Sequence, residues 1–118
     1  MKPEKIAEAV DFIGKIDEDD TVSVIHHWDM DGTASATITS KVVEEERGRP
    51  VDSVSIPSER AYHLSQEDRN MLEETDVLIV LDFNLQADEL EEVREEYELD
   101  VMVVDHHTFD RVPDVTFL

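Results

Sequence analysis

Apolar residues fall along the chain in runs that alternate between helical and extended spacing. In residues 3–15, Ile6, Val10 and the pair Phe12 and Ile13 recur at helical intervals, and Pro3 stands early, where a first turn tolerates it. After a polar break at residues 17–20, "TVSVI" (21–25) is β-branched and reads as a strand. Gly32 is expected to end the next turn. "TASATITSKVVEEE" (33–46) then predicts a helix with Ala34, Ile38 and Val42 on one face, stopped by Gly48 and Pro50. "VDSVSI" (51–56) reads as a second strand closed by Pro57. Ser65 and Asp68 form a candidate N-cap pair for a short helix reaching about Glu74. "DVLIVLDF" (76–83) is almost continuously apolar, the mark of a strand buried on both faces. "QADELEEVREEYE" (86–98) predicts an acidic helix with Leu90, Val93 and Tyr97 inward, and "DVMVVDHH" (100–107) another buried strand. "VPDVTFL" (112–118) begins a further strand.

Strands and helices therefore alternate, which calls for an α/β fold: a three-layer α/β/α arrangement around a mainly parallel, Rossmann-like sheet of four to five strands. The 118 residues suffice for one small domain and not for two. No internal repeat or low-complexity segment interrupts the pattern.

Composition changes the picture in three ways. There is no cysteine, which excludes disulfides and thiolate metal sites. No run of about 18 apolar residues is present and the N-terminus lacks a signal-peptide core, so no membrane partner and a cytoplasmic location are expected. Most telling, 31 acids face 10 bases, for a formal net charge of −21. A fold this acidic repels itself in dilute buffer, whereas in molar salt the Debye length shrinks to about 3 Å and screens the repulsion. A halophilic source, such as a halophilic archaeon, is expected. The basic footprint of an ordinary nucleic-acid binder is missing.

In an open parallel sheet, ligands bind beyond the carboxyl ends of the strands. Three strands here end in metal-binding side chains: the first in His26, His27, Asp29 and Asp31, the third in Asp82, the fourth in Asp105, His106 and His107. The second ends in Ser55, Ile56 and Pro57 and offers no obvious ligand. Each piece has a bland explanation, since Asp-Gly is a common turn, one Asp can cap a helix, and a His pair is commonly solvated. Crowded at one rim, however, four carboxylates and several imidazoles need cations to neutralise them. The mixed N/O set suits Mn²⁺, Mg²⁺, Fe²⁺ or Zn²⁺.

"DMDGT" (29–33) also opens the haloacid dehalogenase phosphatases, where Asp29 would attack phosphorus and Asp31 would act as acid/base. A receiver domain would instead use Asp82 as its phosphorylated acid. Both schemes want a downstream lysine, and none follows Lys41. Neither uses Asp105, His106 and His107.

With His27-Trp28-Asp29-Met30-Asp31-Gly32 after the first strand, Asp82 closing "VLIVLD", and Asp105-His106-His107 after "VMVV", the chain resembles the DHH phosphoesterase family over residues 21–107. That family includes RecJ-type single-strand nucleases, oligoribonucleases and cyclic-dinucleotide phosphodiesterases, with family II pyrophosphatases more distant. The resemblance implies two divalent ions, Mn²⁺ in the usual case and Mg²⁺ as the alternative. One would be held by His27, Asp29 and Asp82, the other by Asp31, Asp82 and His106, with Asp82 bridging. Water between the ions would become a hydroxide that attacks phosphorus in line. His107 would donate to the substrate phosphate, and Asp105 would orient a ligand imidazole. Asp29, Asp31, Asp82, His106 and His107 are thus the implied catalytic set, and single-stranded nucleic acid or a nucleotide the implied substrate.

His26 is expected to be structural and Trp28 to pack beside the site, with base stacking as its other role. His63 is expected at the surface, and Arg60 is a candidate phosphate contact. Family members also carry a fourth Asp motif and a C-terminal substrate-binding domain, neither of which occurs in residues 1–118. The chain is therefore expected to be the N-terminal part of such a protein, with room for homo-oligomerisation through an uncovered apolar face. A non-catalytic metal-binding or partner-binding module built on the same half is the alternative.

Overall fold

Strands form where β-branched and aliphatic residues run unbroken, and helices where polar positions interrupt them at helical intervals. The computed structural model describes residues 3–59, 62–105 and 112–117. In chain order the elements are α1 (Pro3–Gly14), β1 (Val22–His26), α2 (Met30–Arg47), β2 (Ser53–Ser55), α3 (Gln66–Asn70), β3 (Val77–Leu81), α4 (Ala87–Glu96), β4 (Asp100–Val104) and β5 (Thr116–Phe117). Among the described residues the sheet has five strands in the order β2-β1-β3-β4-β5. Every neighbouring pair runs parallel. This is the three-layer α/β/α arrangement expected from the alternation, with the parallel pairing complete across the described strands.

Strand periodicity divides the core between two faces. Val22, Val24, Val77, Ile79, Leu81 and Met102 point to one face, where Ala9, Phe12 and Ile13 of α1 and Ala36 and Val43 of α2 meet them. Ile25, Leu78, Val80, Val101 and Val103 point to the other, under Leu90 and Val93 of α4. Leu78 and Ile79 of the central strand β3 are fully buried. Burying each contributes about 1.5–3 kcal/mol, and truncation to Ala would cost about 2–5 kcal/mol. The buried Ser23 hydroxyl meets Thr75 Oγ1 at 2.9 Å, so this buried polar group of β1 is satisfied.

Helix α2 differs most from expectation. It begins at Met30, not at residue 33, because Asp29 caps it; Asp31 and Gly32 lie in its first turn and not in a preceding turn. Its inner face carries Gly32, Ala36, Val43 and Arg47. Ala34, Ile38 and Val42, expected to share one apolar face, point outward, with Ile38 66% exposed. In α1, Ile6 and Val10 are likewise exposed. β2, expected over 51–56, keeps only three ladder residues at the sheet edge. The expected capping box is present: the Ser65 hydroxyl accepts from Asp68 N–H while the Asp68 carboxylate accepts from Ser65 N–H. The helix it starts ends at Asn70, and the chain continues in turns.

At the amino-terminal rim of the sheet, Arg47 is buried. Its guanidinium donates to the Asp20 carbonyl at 2.7 Å, the Arg49 carbonyl at 3.0 Å and the Pro50 carbonyl, and lies 3.3 Å from Asp52 Oδ2. Asp52 in turn accepts from Val22 N–H at 2.8 Å. One planar cation thus ties the end of α2 to the start of β1 and the approach to β2. No helix among the described residues is long and apolar enough to cross a membrane.

Candidate metal centre

Because the strands are parallel, their carboxyl ends share one rim. Hydrogen bonding carries the ladder one residue past the strands there. His27 N–H donates to the Leu81 carbonyl at 3.1 Å, and Asp82 N–H to the Val104 carbonyl at 2.9 Å. The tips of β1, β3 and β4 are therefore held in step, which fixes the backbones of His27 and Asp82 relative to each other.

Asp29 is positioned by the start of α2. Its backbone is extended and its Oδ1 accepts from Gly32 N–H at 2.8 Å, as an N-cap does. Its Oδ2 lies 3.0 Å from His27 Nδ1. The Gly32 N–H, and after it the His27 side chain, hold the Asp29 carboxyl below the usual carboxylate range. Asp29 is thus ionised at neutral pH. Gly32 permits this arrangement. A Cβ there would lie 2.8 Å from the His27 carbonyl carbon and 2.9 Å from His27 Cβ, and closer still to the carbonyl oxygen. Only glycine lets α2 start this near the β1 tip.

Asp82 is buried and takes a left-handed backbone, φ +52°. Asp tolerates that region better than most residues. Asn84 is left-handed too, φ +58°, and its N–H donates to Asp105 Oδ2 at 2.6 Å. The loop after β3 is thereby folded against the tip of β4. Asp82 does not cap the next helix; Gln86 stands at the N-cap of α4.

These local choices bring one ligand-capable atom each of His27, Asp29 and Asp82 within 4.8 Å of one another. An imidazole nitrogen and two carboxylates, with a combined charge of −2 when the His is neutral, fit a hard or borderline divalent cation. Asp31 stands exposed on the first turn of α2 and is outside this group. Asp105 spends one oxygen on Asn84. His106, His107 and Arg60 lie outside the described residues. His26 is buried, and its Nδ1–H donates to the His27 carbonyl at 2.7 Å, a structural bond of the kind expected for it. His63 is exposed.

Trp28 is half-buried and packs against the core on the α4 face. It also stacks on His27, with ring centroids 4.2 Å apart. Tyr62, which carries no motif, completes the group. Its ring lies 5.7 Å from His27 and 5.5 Å from Trp28, and its hydroxyl is 3.3 Å from His27 Nε2. The only sequence signal for Tyr62 was its position in a loop that follows a strand, at the rim where parallel sheets bind ligands.

A family model described as the DHH family, N-terminal domain, matches residues 21–117. No curated protein matches the chain.

Proposed function

The chain belongs to the DHH family, and on that premise we propose that it is a RecJ-like, metal-dependent hydrolase of phosphodiester bonds in single-stranded nucleic acid or a nucleotide. Members of the family are in general metal-dependent phosphoesterases, so hydrolysis of a phosphoric ester is the coarse assignment. The observation that supports the finer reading is the convergence of His27, Asp29 and Asp82 within 4.8 Å at the carboxyl rim.

In this reading His27, Asp29 and Asp82 would hold one divalent ion, and Asp31, Asp82 and His106 a second, with Mn²⁺ preferred and Mg²⁺ as the alternative. Such ions supply positive charge to the phosphoryl group and lower the proton affinity of water, the nucleophile of this chemistry. The chain's own contribution is position. Asp29 stays ionised through its Gly32 N–H bond and presents its other oxygen beside His27. Asp82 is fixed by the β3–β4 ladder. His107 would donate to a phosphate oxygen, and Asp105 braces the loop that carries Asp82. With a formal charge of −21 the surface repels a polyanion, so bound cations and high salt must offset it. That balance supports a halophilic setting.

Calorimetric titration with Mn²⁺, beside cleavage assays on end-labelled single strands and cyclic dinucleotides, tests the reading. Metal binding that is lost in Asp82→Asn, with turnover of one of these substrates by the wild type, is expected. Tight Mn²⁺ binding with no turnover of either substrate would refute catalysis and leave a non-catalytic metal-binding module.

A further inference from the structure

We propose that Tyr62, backed by Trp28, is a stacking platform for the nucleobase attached to the phosphate at the metal centre. This inference rests on the phosphoesterase reading and adds to it a recognition element for the base. Tyr62 is 53% exposed, although its ring joins a continuous aromatic group. It stacks near-parallel to His27 at 14° and to Phe83 at 26°, with centroids 5.7 and 6.3 Å away. Phe83 is fully buried, so the group is anchored in the core at one end and open to solvent at the other. The Tyr62 hydroxyl, 3.3 Å from His27 Nε2, sets the platform directly beside a proposed metal ligand.

Charge explains why such a platform is needed. A polyanionic strand is ordinarily held by Lys and Arg contacts, and those weaken steeply with salt. This chain has 10 basic residues against 31 acids and cannot build a basic groove. Base–aromatic stacking needs no counter-charge, tolerates salt and accepts every base. Beside the proposed metal ions, it is a binding term that remains available to an acidic protein in concentrated salt.

Trp28 is the chain's one tryptophan, so its fluorescence reports the platform without labelling. The experiment titrates the protein, in Mn²⁺ and molar KCl, with a short phosphorothioate-linked deoxyadenosine strand and with an abasic strand of the same length. Wild type should bind the base-bearing strand more tightly, with quenching of Trp28. Tyr62→Leu, which fills much of the ring's volume without a π face, should lose about 10-fold or more of that affinity, the size of one lost stack. Its affinity for the abasic strand should not change. Tyr62→Phe, which keeps the ring and loses the hydroxyl, should stay within about 3-fold of wild type, since the ring carries the stack. Three results would overturn the platform: equal wild-type affinity for the two strands, no effect of Tyr62→Leu, or equal loss on both strands in that variant. Each of these leaves the phosphoesterase reading standing. Binding of neither strand by a Mn²⁺-loaded wild type would overturn both.

Discussion

Replacing Gly32 with Ala sets two effects of opposite sign against each other. In an ordinary helix interior the change would stabilise by up to about 1 kcal/mol, because Ala is the better helix former. Here the added methyl meets the backbone of His27, at 2.8 Å from its carbonyl carbon and nearer to its oxygen. Ordinary contact begins near 3.5 Å, so α2 or the β1 tip must move by much of an ångström. Neither moves freely. The His27 N–H is tied to Leu81, and its carbonyl accepts from His26. Overpacking of this kind costs about 1–3 kcal/mol, and breaking the His26 bond adds about 1 kcal/mol. Less the helix gain, a net loss of about 1–3 kcal/mol is expected in urea unfolding. The same shift separates Asp29 from His27, so Mn²⁺ affinity measured by calorimetry should fall by more than the stability change alone would produce. A Gly32→Ala protein as stable as wild type, with unchanged Mn²⁺ affinity, would refute the claim that this contact sets the centre.

Arg47→Ala should cost about 1–3 kcal/mol in urea unfolding, because it removes the donor to three carbonyl groups while Asp52 keeps Arg49; a loss below about 1 kcal/mol contradicts the clamp. For Asp52, burial pushes the carboxyl up, but Val22 N–H, Arg49 and Arg47 outweigh it and hold the group below the usual range. A depressed folded pKa gives a contribution that is complete above the unfolded value of about 4 and lost as pH falls through the folded one. The stability gap between wild type and Asp52→Asn should therefore be level near neutrality and close in acid; a gap that widens there would be the wrong sign. Raising KCl from 0.1 to 2 M should lift the melting temperature by more than about 5 °C, the shift that about 1 kcal/mol gives a small domain, and a flat profile would disconnect the −21 charge from stability.

Element type was legible in the sequence because the buried strands are so apolar. Val77 to Val80 and Val101 to Val103 have few alternatives to a doubly covered sheet. Helix rotation was not legible. Ala34, Ile38 and Val42 form a plausible inner stripe at i, i+4 and i+8, yet α2 turns Ala36 and Val43 inward. Its other two inner residues are Gly32 and Arg47, and neither registers as apolar. Gly32 is inside because it alone clears His27, and Arg47 because four oxygens satisfy it. The orientation of α2 is thus set by backbone clearance and hydrogen bonding, which hydrophobic periodicity cannot see. At the rim, the approach of His27, Asp29 and Asp82 to one another could be anticipated because they follow the tips of neighbouring parallel strands. Tyr62 could not, since its tie to His27 crosses 35 positions and exists only once the loop after β2 has folded back.

The ladder that joins His27 to Leu81 and Asp82 to Val104 bears on ion selectivity. The distance between adjacent strands is a constant of peptide hydrogen bonding, about 4.8 Å, and side-chain substitution hardly alters it. Two of the three donors are therefore mounted on a frame of fixed gauge. Accommodation of a larger or smaller ionic radius would fall to Asp29, the proposed donor carried by a helix cap. In the proposed centre, discrimination among divalent cations would then depend on how firmly the first turn of α2 is seated.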